Sequence, residues 1–138
     1  MFVGKDAAED GAIVSAMTLE TLKTTNGYYC GTRVNGSWFR WYRPWGFFTR
    51  GNGEIWVDPF GLHFRLYLTK PVRDIPLASI QNISIGDCGF RWLGAPVIWI
   101  EWNDGRRDLL SGFAVSKRMD ETDKWVASLK NGMAVSSI

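Results

Sequence analysis

Apolar and polar residues alternate through most of the chain after residue 27, and this two-residue period is typical of β-strands. The clearest example is 96–102, where Ile98, Ile100 and Trp102 share one face and Val97, Trp99 and Glu101 share the other. Asn103-Asp104-Gly105 follows and supplies the positive φ angles of a tight turn. The pattern therefore predicts a hairpin whose second strand runs to Val115.

The period changes near the C-terminus. Apolar residues recur there at helical spacing, at Trp125, Val126, Leu129 and Met133. Asp120 is placed to cap a helix and Gly132 to end it. We therefore predict a helix over 120–131 whose Trp125 and Leu129 close the open end of the sheet.

Further strands are predicted on either side of two turn signals. Asn35-Gly36 separates 29–34 from 37–42, and Asp58-Pro59-Phe60-Gly61 separates 54–57 from 62–67. In the last of these strands Leu62, Phe64 and Leu66 would face inward, with His63, Arg65 and Tyr67 outward. Short strands are expected at 72–75 and 83–85, a turn or single helical turn at 76–80, and a loop at 86–94.

The first part of the chain has a weaker pattern. A faint helical stripe predicts that residues 1–27 are an N-terminal segment, partly helical or disordered, with Asn26-Gly27 as its stop. Residues 28–138 would form one β domain.

This order of elements resembles the pleckstrin-homology (PH) and GRAM-like superfold, including small bacterial PH-like proteins from which no activity can be carried over. The resemblance implies a mainly β fold: a PH-like β-barrel or sandwich of about seven antiparallel strands capped by a C-terminal α-helix. Lipid-binding members have Lys and Arg in the first strand pair and its loop. If 54–57 and 62–67 are that pair, loop 58–61 has no basic residue and departs from the lipid-binding pattern. The matching segments are Gly61-Leu62-His63-Phe64, 75–80, 96–102, Ser111-Gly112-Phe113 and the helix around Trp125.

Composition adds limits to this picture. Hydrophobic residues make up 46% and charged residues 22%, as in an ordinary soluble domain. No apolar run could span a bilayer and no signal-like start is present, so a cytoplasmic location is expected. A net charge of +2 gives no reason to expect a nucleic-acid partner. Cys30 and Cys88 are expected to be reduced, since cytoplasmic proteins rarely form disulfides.

An aromatic and basic stretch at 38–50 is the most unusual feature. Large rings among arginines can fill a core, stack on nucleic-acid bases, anchor at an anionic membrane or form a protein interface. Core filling and a protein interface are the favoured readings. The candidate interface residues are Trp38, Arg40, Tyr42, Phe90 and Trp92, and the candidate lipid-binding residues are Arg43, Trp45 and Arg50.

Catalytic chemistry has little support. His63 is the only histidine, and no metal-ligand spacing joins it to the cysteines. A Cys88–His63 nucleophile pair is conceivable, but no nucleophile motif surrounds Cys88. We therefore expect no enzyme activity, no cofactor and no metal. The alternatives are peripheral binding to anionic membrane lipids through 38–50, and a small-ligand β-barrel or enzyme with a Trp-lined cavity.

The side chains on the two faces of the predicted strand 37–42 lead us to expect self-association. Trp38, Arg40 and Tyr42 project from one face of a strand, and something must cover them if the opposite face is core. The N-terminal segment or a second subunit could do so. We expect a non-catalytic module that binds protein or itself, with a homodimer through this face, or otherwise through the 86–94 loop with Phe90 and Trp92.

Overall fold

The computed structural model describes residues 22–34, 37–42, 44, 50–69, 71–87 and 94–136, with only the backbone for 37–39, 41, 135 and 136. These residues form eight strands, one α-helix and a short 3-10 helix at Leu77–Ser79. The strands are β1 (Leu22–Val34), β2 (Ser37–Trp41), β3 (Gly51–Asp58), β4 (Gly61–Leu66), β5 (Val72–Pro76), β6 (Ile80–Gly86), β7 (Val97–Asn103) and β8 (Asp108–Ala114), and the helix is α1 (Met119–Ser136).

All the strand pairs are antiparallel and belong to one sheet. The order is β5-β4-β3-β1-β8-β7-β6, and β2 pairs with β1 off this path. The prediction of a mainly β fold with antiparallel strands and a C-terminal helix is confirmed.

Strand β1 runs through the centre of the sheet. One edge pairs with β8, and the other pairs with β3 and then with β2. The strand begins at Leu22, so residues 22–27, predicted to belong to the N-terminal segment, are part of the β domain. Asn26-Gly27 does not stop a helix, and instead lies at a register shift within this strand.

A bulge at Gly31 reorients the second half of β1. Tyr29 pairs with Phe113 and Gly31 with Gly112, so two steps along β1 match one along β8. Gly31 has φ +103°, a left-handed conformation that glycine adopts without strain. The extra residue brings Tyr29 and Thr32 to the same face, where their hydroxyls form a hydrogen bond.

The main core lies on one face of the sheet, under α1. Its centre is an aromatic group in which the Phe64 ring centroid lies 4.4 Å from that of Tyr29 and 5.0 Å from that of Phe113. The predicted inward residues Leu62, Phe64 and Leu66 are all buried here, and so are Ile98, Ile100 and Trp102, which share one face of β7. A second cluster lies on the opposite face, formed by Tyr28, Cys30, Val97 and Ala114 with Trp99 packed against it.

Helix α1 is longer than predicted at both ends. The Arg118 carbonyl accepts the Thr122 N–H at 3.1 Å, so Asp120 lies inside the first turn and is not the cap. Gly132 is within the helix and does not end it. Its missing side chain lets the helix approach Leu77, because a Cβ there would lie 2.7 Å from the Leu77 Cδ1 atom. Trp125 and Leu129 are buried in the main core, as predicted.

The predicted turns that fall within the described residues are present with adjusted ends, while Asn35-Gly36 lies outside them. The hairpin after β7 spans 104–107, where the Asp104 carboxylate accepts the N–H groups of Arg106 and Arg107. The segment 76–80 contains the expected helical turn, and strand β6 starts at Ile80, earlier than predicted.

Candidate functional site

Four side chains form a row across the sheet on the face away from the main core. The strand register pairs Lys23 of β1 with Trp56 of β3, Trp56 with His63 of β4, and His63 with Asp74 of β5. The Lys23 ammonium lies 5.8 Å from the Trp56 ring centroid. The Trp56 and His63 rings stack with centroids 5.6 Å apart. Non-local strand pairing therefore joins a cation, two rings and a carboxylate.

His63 is held between two carboxylates. Its Nδ1 lies 2.5 Å from Oδ1 of Asp74, and its Nε2 lies 2.8 Å from Oδ1 of Asp58. The same Asp58 oxygen accepts the N–H groups of Phe60 at 2.8 Å and Gly61 at 3.1 Å, which closes the β3–β4 turn. The His63 side chain is only 14% exposed, less than expected for an outward residue on a surface strand.

This arrangement favours the protonated ring. Burial alone lowers the pKa of His63, but the hydrogen bonds and charges of Asp74 and Asp58 outweigh burial and raise that pKa above its ordinary value. For Asp58, burial alone raises the pKa. The hydrogen bonds from His63 and from the turn N–H groups together outweigh burial, so the pKa of Asp58 lies below its ordinary value. The geometry and the raised pKa both favour the imidazolium form of His63 over the neutral ring.

The chemistry open to His63 is limited by these bonds. In its protonated form the ring donates through both nitrogens to Asp74 and Asp58, and that form has no lone pair for a metal or for a nucleophile's proton. Cys88, its conceivable partner, lies outside the described residues. In the described part of the chain, no group of three or more His, Cys, Asp or Glu side chains could hold a metal ion. Cys30 is buried.

Tyr42 corrects the predicted interface. Its ring is buried in the main core and meets Trp102 edge-on, with centroids 6.0 Å apart. Its hydroxyl donates to the Asp104 carboxylate at 3.1 Å, and the Arg107 guanidinium lies 5.4 Å from its ring centroid. Tyr42 is thus covered within its own chain by the β7–β8 hairpin. It is not available to a second subunit.

The other predicted site residues are only partly described. Arg40 is exposed on β2, and Arg50 is half-buried just before β3. Trp38 lies in β2, but its side chain is outside the described part of the chain. Arg43, Trp45, Phe90 and Trp92 all lie outside the described residues.

The two edges of the sheet differ in charge. Within the described ranges, no strand pairs with the outer side of β5 or of β6. β5 has Arg73, Asp74 and Pro76, the residue types that protect natural edge strands from pairing. β6 has neither a charged residue nor a proline. Its residues other than Ile80 and Ile83 are exposed, including the apolar Ile85.

An apolar turn projects between β4 and β5. Leu68 is 96% exposed, and the neighbouring Tyr67 and Val72 are about half exposed. The turn is tied to the sheet by Tyr67, whose N–H donates to the Asn52 carbonyl at 3.1 Å and whose hydroxyl donates to the Thr25 carbonyl. Residues 59–73 include basic side chains and no acidic one.

Sequence reasoning missed the His63 cluster and the neutral edge. His63 was correctly predicted to point outward, but its two acidic partners are 5 and 11 residues away and meet it only through strand pairing. The sequence shows that residues 80–86 contain no charged residue. It does not show that this strand lies at an edge of the sheet, because that depends on the strand order.

The sequence matches no protein-family model, and no curated protein is significantly similar to it. Among the described residues, no helix combines the length and hydropathy that crossing a bilayer requires.

Proposed function

We propose that this chain is a non-catalytic, PH-like interaction module that associates with a second copy of itself. A continuous antiparallel path of seven strands and a C-terminal helix packed on the core support the resemblance to the PH and GRAM-like superfold. The engagement of both His63 nitrogens by carboxylates supports a non-catalytic role. Fold alone does not identify a function, so the proposal depends on a surface.

The observation that carries the proposal is the β6 edge. It is exposed, uncharged and unpaired in the described part of the chain, whereas β5 at the opposite edge has two charges and a proline. An exposed edge presents free N–H and C=O groups that can pair with another strand. Two copies of β6 can pair antiparallel about a two-fold axis without opposing like charges.

The sequence beyond β6 contains residue types common at interfaces. Residues 88–93, which include Phe90 and Trp92, follow β6 after Asp87 and lie outside the described residues. Trp and Phe are enriched at protein interfaces. The predicted alternative interface at 86–94 is therefore continuous in sequence with the neutral edge, and the β6 edge replaces the Trp38, Arg40 and Tyr42 face in this proposal.

Light scattering coupled to size-exclusion chromatography tests the proposal. We expect a dimer at about 50 μM, the range in which a stable interface is populated. Gln81→Lys with Ser84→Lys should shift the protein to monomer, because both residues are exposed on β6 and two-fold pairing would bring the added charges together. The circular dichroism spectrum should be unchanged.

A matched control places the same two charges beside the opposite edge. Thr69→Lys with Val72→Lys changes exposed residues in and next to β5 and should leave the dimer intact. A wild-type monomer at this concentration would contradict self-association. A dimer that persists in the β6 variant would contradict the proposed edge.

Anionic membrane binding is a second candidate, favoured by one correction to the loop assignment. On the seven-strand path β1 is followed by β3, so the first connection is residues 35–50 and not 58–61. That connection has Arg40, Arg43 and Arg50 and no acidic residue. The missing basic residues in 58–61 are therefore no argument against lipid binding, and the exposed Leu68 turn offers an apolar side chain for insertion.

Vesicle co-sedimentation tests this candidate. Binding should require phosphatidylserine in phosphatidylcholine vesicles and should fall with added salt, since it depends on dispersed arginines. Arg40→Gln with Leu68→Ser should weaken it, while Lys124→Gln, an exposed change on α1, should not. Absence of binding at low salt would contradict this candidate, and tight, salt-resistant binding to one phosphoinositide would contradict its non-specific form.

A further inference from the structure

The Asp58–His63–Asp74 cluster joins three separate segments. Asp58 closes the β3–β4 turn, His63 is in β4, and Asp74 is on the edge strand β5. β5 has a strand neighbour, β4, on its inner side and no described neighbour on its outer side. Strands at a sheet edge have the lowest barrier to local opening, so a side-chain tie across this pair has a strong effect on β5.

The charges around the ring balance only when it is protonated. Glu54 of β3 lies 2.8 Å from Arg65 of β4 and 3.9 Å from Lys23 of β1. With Asp58, Asp74 and an imidazolium, these six described groups make three positive and three negative charges. Loss of the ring proton leaves a net negative charge on these six groups, and one of the two carboxylates loses its donor.

We propose that His63 is a pH-sensitive latch that fastens β5 and the β3–β4 turn to β4 when its ring is protonated and loosens them when its ring is neutral. Protonated, the ring donates to both Asp74 and Asp58. When the ring is neutral it keeps one N–H. The lone pair of its other nitrogen then faces a carboxylate oxygen within about 3 Å. The released proton passes to solvent, since the Asp74 side chain is more than half exposed.

Release of β5 has consequences along the chain. The strand ends at Pro76 and continues into the 3-10 helix, whose Leu77 packs against Gly132 of α1. Loosening β5 would expose the backbone edge of β4, which is otherwise paired from Gly61 to Arg65. Rising pH would thus expose the edge of β4 in place of the protected edge of β5, on the side of the sheet opposite β6.

The sign of the effect follows from proton linkage. A group whose pKa is raised in the closed state stabilises that state fully below its ordinary pKa, about 6.5, and this stabilisation is lost as pH rises through the higher closed-state pKa. Because the pKa of Asp58 is lowered in the closed state, its carboxylate stabilises that state above about pH 4. This stabilisation is lost on acidification. The latch should therefore be tightest between about pH 4 and pH 6.5.

Nuclear magnetic resonance gives a direct test, because His63 is the only histidine in the sequence. In protein without a histidine tag, the one imidazole signal should titrate above 6.5. Amide hydrogen exchange of residues 72–75, corrected for intrinsic rates, should rise above the ring's pKa by up to about tenfold per pH unit. Exchange in β7 and β8 should not follow this step.

Three variants separate the latch from general destabilisation. His63→Gln should remove the pH step in β5. Asp74→Asn should lower the pKa of the ring and move the step to lower pH. Arg65→Gln, which breaks an ion pair on the same strand and face, should leave the step in place.

Several results would overturn the latch. One is an imidazole signal of His63 that titrates at or below pH 6.5. Another is a pH step in the amide exchange of β5 that survives in His63→Gln. The third is amide exchange that rises equally with pH in β5, β7 and β8. Each can be observed in a monomer or in a dimer paired through β6, so the outcome is independent of the proposed self-association.

Discussion

The indole of Trp99 lies against Gly112, its partner on the neighbouring strand, so closely that a Cβ on the glycine would fall 2.6 Å from the ring atom Cζ3. The Trp99 Nε1 atom donates to the Asp87 carbonyl at 3.1 Å, and the Arg33 guanidinium lies 5.5 Å from the ring centroid. A large ring can lie flat on the sheet because its neighbour has no side chain.

Gly112→Ala should therefore lower the free energy of unfolding by about 1–3 kcal/mol, the usual cost of overpacking. Urea unfolding followed by far-ultraviolet circular dichroism measures it. The double variant Gly112→Ala with Trp99→Leu should recover part of the loss, because the clash is removed with the ring. Equal losses with and without the indole would contradict the contact.

Ser111 holds a buried polar chain together. Its Oγ atom accepts the Trp102 Nε1–H at 3.0 Å and lies 2.6 Å from the Thr32 Oγ1 atom. Ser111→Ala should cost about 1–3 kcal/mol, because it removes the buried hydrogen bonds that the Ser111 hydroxyl makes with Trp102 and Thr32. Urea titration provides the measurement, and Ser84→Ala, at an exposed position on β6, should have almost no effect.

Trp125 fixes α1 to the core. The side chain is 4% exposed and belongs to the main cluster. Trp125→Ala should cost about 3–5 kcal/mol, the range for truncating a buried large aromatic residue. Unchanged stability in urea would show that the helix is held by other contacts, and Lys124→Ala, exposed on the same helix, serves as the control.

Asp104 should make the protein sensitive to acid. The N–H of Arg107, with smaller contributions from the Arg106 N–H and the Tyr42 hydroxyl, holds the pKa of Asp104 below its ordinary value. A carboxylate with a lowered pKa stabilises the fold above about pH 4, and this stabilisation is lost as pH falls through its folded pKa.

Urea midpoints at pH 6 and pH 3 test this sign. The difference between wild type and Asp104→Asn should be larger at pH 6 than at pH 3, because wild type has lost the charge at the lower pH. Asp123→Asn, an exposed change on α1, should show no such convergence. A difference that grows on acidification would contradict the assignment.

The sequence by itself determined the class of fold and most of its elements. Alternation in 62–67 correctly placed Leu62, Phe64 and Leu66 in the core, and the spacing of Trp125 and Leu129 correctly predicted a buried helix face. These predictions succeed because side-chain direction follows local backbone periodicity, which needs no knowledge of distant residues.

Only the tertiary structure decided which residues meet. Tyr42 is buried because a hairpin some 60 residues away packs on its ring, and Gly132 lies within α1 because its surface must approach Leu77. The His63 latch and the neutral β6 edge depend on strand order, which arises from pairings between distant segments. Such pairings are chosen by the packing of the whole core, so a local pattern has no information about them.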